Sequence, residues 1–484
     1  MGKLWQKNYS LDKLVEEFTV GEDYLLDRSL VNADCVASIA HAEMLHSIGI
    51  LTAREYEALK AELLKIVELN DRGDFPLEIS DEDCHTAIEN HLTEALGTVA
   101  LTDTTLGKTD PGKAGHGSGG LEETNLSEAG KKIHTGRSRN DQVIAALRLY
   151  SRSFLLDFQK SLLMLCGSLL ALARKYEKVP MPGRTHMQIA MPSSIGLWAS
   201  AYAEDLLDDL ALIQTAYDLN NTSPLGSAAS YGVPLPLDRE RVAEALAFAG
   251  VQNNVLYVNN SRGKMESIIV DALEQVMLCL SKLSQDLILY SMPEFGYFAL
   301  PRELCTGSSI MPQKRNPDML ELIRAKTSSL MALNIQIKGI IKGLPSGYNR
   351  DFQETKSALI RGFRIALSSV QIMDLVVAKV VINEERLLKG FVPEIFATDR
   401  VLELVSGGMS FRDAYRVVGE HIEELASRDP RGALDKRTSS GTPGNLNLGL
   451  VERRIRERAA SLEKEEKRVS GRLKALTGTP VRLY

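Results

Sequence analysis

The sequence predicts an all-α fold: three mostly helical domains arranged around a central bundle of long helices. Three observations carry that prediction. Apolar residues recur at steps of three and four over stretches far longer than an average helix, strand-like alternation is scarce, and Pro and Gly gather in a few clusters between those stretches. No internal repeat is apparent.

Taken in chain order, the first informative segment is DEDCHTAIENHL at 81–92. Its histidines, His85 and His91, stand at i and i+6, which do not share a helix face, so metal ligation there is not expected. Residues 97–127, including GKAGHGSGG, are rich in Gly, Thr and Asp without period and read as a flexible surface insertion. From Val143 the series Val143, Leu147, Tyr150, Phe154, Phe158, Leu162, Leu165, Leu169 marks one apolar stripe on a helix of about 35 residues. A second series runs Met265, Ile269, Ala272, Val276, Leu280, Leu283, Leu287, and similar segments cover 193–221, 319–342 and 354–381. Helices of such length are built to pack on one another. MPGRTH at 181–186, SPLGSAASYGVPLPLD at 223–238 and GSSIMPQKRNPD at 307–318 punctuate the bundle, and SSGTPGNLN at 439–447 precedes a charged last helix at 450–476. The expected domains are 1–139, 140–383 and 384–484.

Composition agrees with a globular chain. At roughly 150 residues per domain, 484 residues allow about three domains. The chain is 44% hydrophobic and 25% charged, which excludes a disordered or fibrous class. Its net charge of −6 contains no long block of one sign, against a nucleic-acid or anionic-membrane footprint. Five cysteines, none at CxxC spacing, fit free thiols in a reducing compartment. The start has no apolar h-region, and the longest charge-free apolar stretch, 161–173, is too short to span about 30 Å of hydrocarbon. A soluble cytoplasmic protein is therefore expected.

Three segments carry chemistry. GSSIMPQKRNPDMLELIRAK at 307–326 places backbone N–H groups, Ser308, Lys314 and Asn316 in one turn before a helix expected to open with Pro317 at its first position. That inventory suits a developing carboxylate or oxyanion. A capped polar loop would explain the serines and proline, but not a cation and an amide donor crowded beside them. HTGRSRNDQV at 134–143 sets Arg137 and Arg139 at a helix start, where guanidinium forks and free amides favour carboxylates. Taken alone, an Asn140 or Asp141 cap with exposed arginines explains it as well. GRTHMQIAMP at 183–192 holds Thr185 and His186 in a short loop expected between helices, and histidine is the default acid–base side chain near neutral pH. Neither GxGxxG, a P-loop, GxSxG nor HExxH is present.

Together these segments resemble the argininosuccinate lyases of the fumarase/aspartase superfamily and the enzyme-inactive delta-crystallins related to them. GSSxMPxKxNP belongs to the whole superfamily, whereas Gln313, HTGRSRNDQ and GLPSGYNRDFQETK at 343–356 point to this member. The resemblance runs from about residue 11 to 454, apart from the insertion. It implies reversible elimination of argininosuccinate to arginine and fumarate without metal or organic cofactor. By position in the family pattern, His186 and Ser308 form the acid–base pair and Glu321 tunes the histidine. Lys314, Asn316 and Thr185 hold the aci-carboxylate, Asn140 contacts the succinyl end, and Tyr348, Gln353 and Lys356 bind substrate. Either Ser308 or His186 fits the role of proton acceptor, and the favoured assignment gives it to Ser308. The resemblance further implies a homotetramer with each active site built from three subunits. Off-stripe residues Leu163, Met164, Leu170, Ile268, Leu273 and Leu278 agree, since a helix apolar on several sides needs cover on several sides.

The chain also departs from the pattern. Asp23 falls where some members use a substrate-binding serine, so that contact is not carried over, and SRGKMES at 261–267 replaces an acidic-Arg-Asp segment. The alternatives are another fumarate-releasing lyase of the superfamily, similar to adenylosuccinate lyase, and an inactive structural protein of the delta-crystallin kind.

Overall fold

Long uninterrupted 3.6-residue periodicity can be buried only against other helices, and that is how the chain solves it. The computed structural model describes residues 12–103 and 126–484. Among them, nine helices reach 17 residues or more: α1 (Val31–Ser47), α2 (Ala53–Arg72), α3 (Cys84–Asp103), α4 (Arg139–Lys175), α5 (Ile195–Asn220), α6 (Lys264–Ser291), α7 (Asp318–Ile341), α8 (Gln353–Lys379) and α9 (Leu448–Thr477). Helices α4 to α8 form the bundle, with α4 against α5 and α8, and α6 against α5, α7 and α8. Both apolar series lie buried along their full length. One contiguous core runs from Leu30 to Leu483, with small satellite clusters at Ile395, Phe396 and Ala433 and at Val401, Ala414 and Val418. The last helix packs back on α4, α5 and α1.

Two features differ from the sequence reading. MPGRTH is not a loop between helices but part of an antiparallel hairpin, β1 (Pro180–Thr185) with β2 (Gln188–Ser194). Thr185 faces Gln188, so His186 and Met187 form a two-residue turn, with φ of 53° and 63°. A two-residue hairpin with both central residues left-handed matches the twist of its strands. The Pro-rich composition of β1 concealed it, because strand signals come from β-branched and aromatic residues. Likewise α3 continues through Asp103 and a 3-10 turn spans Leu126–Glu128, so 97–103 and 126–127 of the expected insertion are helical, while 104–125 lie outside the described residues. A second, minimal pair joins β3 (Phe298–Ala299) to β4 (Val381–Ile382).

Helix α4 is long and apolar enough to cross a membrane by length and composition alone, yet most of its most apolar window is buried among its neighbours, as in a core helix. Its aromatic residues stack across the bundle: Phe154 lies face to face on Phe363 of α8, with ring centroids 3.8 Å apart. Phe363 is fully buried, so Phe363→Ala is expected to lower stability by about 3–5 kcal/mol, read as a fall in the thermal melting midpoint. An unchanged midpoint would show that the stack contributes nothing to the bundle.

Candidate active site

The N-terminus of α4 anchors the first part of the site. Ser138, rather than Asn140 or Asp141, caps the helix, and Asp141 completes a capping box by accepting the Ser138 N–H at 2.9 Å. The second oxygen of Asp141 accepts the N–H groups of Gly226 (3.1 Å) and Ala228 (2.9 Å). One carboxylate thus ties the helix start to the 223–238 turn. Burial pushes its carboxyl up to about 6 despite these hydrogen bonds.

Beside this helix start, Asp23, Asn140, Arg139, Arg262, Tyr348 and Lys356 help line a cavity of about 250 Å³. Lys356 is buried, with its ammonium 2.5 Å from Asp27 and 2.9 Å from Asp23. Burial opposes the charge, but Asp27 and Asp23 outweigh it and raise the ammonium above the ordinary lysine value. Asp27 spends its other oxygen on the Cys84 N–H at the start of α3. Gln353 donates to the Thr19 carbonyl (3.1 Å), and Arg350 pairs with Glu82 (3.0 Å).

Of the two arginines in HTGRSRNDQ, only Arg139 lines the cavity, where it pairs with Asp83 and Glu89, each at 3.2 Å. Arg137 turns inward, buried, and donates to Ser38 (2.8 Å). His134 completes the group through Glu89 (2.9 Å). Asp27, Cys84 and His85 bring potential metal-ligand atoms close together. Asp27 holds Lys356, His85 Nδ1 faces Asp34 at 3.0 Å while its buried Nε2 has no hydrogen-bond partner among the described residues, and burial pushes the Cys84 thiol up, against the thiolate a metal needs.

The acid–base residues of the family pattern sit elsewhere on the chain. Thr185 and His186 are exposed at the hairpin tip, and His186 borders a second cavity of about 590 Å³ with Arg184, Trp198, Tyr202 and Asp286. Its left-handed backbone is uncommon for a non-glycine residue and costs about 1–2 kcal/mol. The 307–316 loop is pinned at its ends, where Thr306 and Asn316 exchange backbone hydrogen bonds of 3.1 and 2.9 Å. Inside it the Ser308 hydroxyl oxygen accepts the N–H groups of Ile310 (3.3 Å) and Met311 (3.1 Å), a setting that favours its oxyanion. Lys314 and Glu321 are exposed, and Pro317 caps α7 from outside instead of occupying its first position. No hydrogen bond or ion pair joins His186, Ser308, Lys314 or Glu321 to one another among the described residues. Within one chain, the first cavity is separate from His186, Ser308, Lys314 and Glu321.

The sequence reading also leaves out Arg262. It is 5% exposed, lines the first cavity, and lies over the rings of Tyr348 (5.7 Å) and Phe352 (5.9 Å). The signal available was an Arg-Gly step just before a long helix, inside the segment that departs from the family pattern.

Glu89 gives this cluster a pH signature. Burial opposes its charge, but the His134 hydrogen bond and then Arg139 bring its carboxyl down to about 2. Its stabilisation is therefore present above the unfolded value of 4.5 and lost as pH falls through about 2. Glu89→Gln is expected to cost up to about 3 kcal/mol near neutral pH, with the difference from wild type shrinking in acid denaturation profiles below pH about 4. A difference independent of pH would contradict an ionised Glu89.

Comparison with known proteins identifies the family. A family model described as Lyase matches residues 7–332. The argininosuccinate lyase of Phocaeicola vulgatus is 41% identical over 94% of this chain and 95% of its own length. That of Thermotoga neapolitana is 40% identical over 86% of this chain and 98% of its own. Among solved structures, EDDS lyase in complex with formate superposes with a TM-score of 0.77 at 20% identity, covering 97% of this chain and 95% of that one, which shows the shared fold. At these identities over nearly full length, this chain belongs to the argininosuccinate lyase family.

Proposed function

We propose that the chain cleaves argininosuccinate reversibly to arginine and fumarate by acid–base catalysis, in a homotetramer whose active sites are shared between subunits. One observation carries the reading: His186 and Lys314 of the family's catalytic pattern stand exposed on turns with no side-chain hydrogen bond or ion pair among the described residues, and the half-buried Ser308 uses its hydroxyl oxygen only as an acceptor. His186 tops a strained hairpin, and Ser308 is held in a pinned loop where two amides face its oxygen. Side chains kept for packing would be buried or paired.

In this mechanism a proton leaves the carbon beside the succinyl carboxylate, and the electron pair delocalises into that carboxylate as a dianionic aci form. Lys314, Asn316 and Thr185 lower the barrier by meeting the charge that develops there. Asn140 holds the succinyl end from the start of α4. The C–N bond then breaks to leave fumarate, and the departing guanidino nitrogen takes a proton. Ser308 is assigned as acceptor of the carbon proton and His186 as donor to the nitrogen, with Glu321 of another subunit paired to the histidine.

Assembly has support in the single chain. Met164 on α4, Leu278 on α6 and Leu322 and Ile335 on α7 are between 40% and 69% exposed, although they sit on bundle helices. Apolar groups of this kind are covered when bundles associate.

Fumarate release, followed by ultraviolet absorbance, is expected with argininosuccinate and not with adenylosuccinate; the reverse would assign the chain to another lyase of the superfamily, and release from neither would favour an inactive structural protein. Ser308→Ala and His186→Ala are each expected to lower kcat by at least about a hundredfold with little change in KM. Mixing the two inactive variants should regain part of the activity, because some hybrid sites contain neither lesion. Failure of complementation in proven mixed tetramers would put both residues in one subunit's site.

A further inference from the structure

We propose that Arg184 is a positioning residue for His186: its guanidinium clamps the two-residue turn that presents the imidazole. The inference rests on the acid–base reading of His186 above. The turn needs holding. His186 and Met187 both stand in the left-handed region, at φ 53° and 63°, where asparagine and glycine are the usual occupants of a two-residue hairpin. Residues 185–189 are exposed, so packing does little to enforce that backbone. Strain of this kind persists only where something around it over-determines the conformation.

Arg184 supplies the tie. Its Nη1 donates to the Met187 carbonyl at 3.2 Å, reaching over the turn from the strand that leads into it. Among the described residues no other side chain hydrogen-bonds the backbone of His186 or Met187. The guanidinium also lies over the Phe295 ring, 5.0 Å from its centroid. Phe295 in turn sits edge-on to Tyr290 near the end of α6 (6.0 Å) and to Tyr297 (5.5 Å), both buried. One side chain therefore links the exposed turn to the end of a bundle helix.

The local sequence aims that side chain. The β1–β2 register breaks between Pro182 and Arg184, at Gly183, where a Cβ would meet the Met191 carbonyl oxygen at 2.6 Å. An irregularity of this kind re-aims the side chains beside it. Arginine is also a costly choice for packing alone, because its buried Nε has no hydrogen-bond partner among the described residues. An apolar side chain would cover Phe295 without that penalty, but would leave the Met187 carbonyl without its donor. The clamp bears on rate because proton transfer needs the imidazole within hydrogen-bond reach of the substrate. A displacement of about 1 Å in such a group can cost about a hundredfold.

The test follows argininosuccinate cleavage by the full chain as wild type, Arg184→Gln and Arg184→Lys. Arg184→Gln should lower kcat at least about tenfold with KM within about twofold, because substrate binding does not depend on the imidazole's aim. Its thermal melting midpoint should stay that of the wild type. Arg184→Lys keeps a charged donor and should turn over at least about threefold faster than Arg184→Gln. Where Ser308→Ala and His186→Ala complement each other, Arg184→Gln should complement Ser308→Ala and not His186→Ala, since the clamp acts in the subunit that supplies His186. An unchanged kcat in Arg184→Gln, a lysine variant no faster than it, or activity regained with His186→Ala would each overturn the proposal. Should Arg184→Gln not fold, Arg184→Met, which keeps the contact with Phe295 and lacks the donor, decides by the same comparisons. A wild type that releases no fumarate from argininosuccinate overturns the functional reading itself, an outcome distinct from a working enzyme indifferent to Arg184.

Discussion

The organisation of this chain depends on one buried ammonium. Lys356 projects from a bundle helix and is 1% exposed, so its charge unpaired would cost several kcal/mol. It is held by Asp23 and Asp27, both from the N-terminal segment, and Asp27 in turn caps the Cys84 N–H where α3 begins. The pairing therefore specifies how the N-terminal helices dock on the bundle more than it adds stability. Removing one partner would leave the others buried and uncompensated, so the bundle, the short helix Asp23–Asp27 and α3 are fixed together. The first cavity is the space left between them.

A second layer of polar contacts holds the same junction. Asp34 pairs with His85 and accepts from Gln142 of α4 (3.1 Å), while Arg137 reaches Ser38 of α1. Nearby Arg148, buried, donates to Thr222, Gln252 and Ser261, and so fastens the turns that lead from α5 to α6. The polar side chains are concentrated where loops from distant parts of the chain meet, and the apolar stripes occupy the remainder of each helix. Hence the bundle can be long and greasy while its end carries a charged cavity.

The helices were legible because 3.6-residue periodicity is local: the stripe from Val143 lies on Arg139–Lys175, and the one from Met265 on Lys264–Ser291. The 307–316 loop was legible because its polar inventory is written in consecutive residues. What could not be read is long-range. The β1–β2 hairpin is hidden by prolines and by a His-Met turn in place of the usual Asn-Gly, and the Ser138 cap competes locally with Asn140 and Asp141. Arg262 was missed for a different reason. It reaches the cavity by packing over Tyr348 and Phe352, which are distant in sequence, and that is a property of the folded set, not of any segment.

The separation of charge and chemistry within the chain has a consequence for how the site works. The charged residues that line the first cavity are ordered by ion pairs within one chain. Lys314 and His186 lie on exposed turns and Ser308 is half-buried, where water screens charge. On the proposed tetrameric reading, packing subunits together brings those turns over a cavity built by another chain and removes that water. The electrostatic contribution of Lys314 and Asn316 then becomes large only in the assembled enzyme, because a donor is worth most where the dielectric is low.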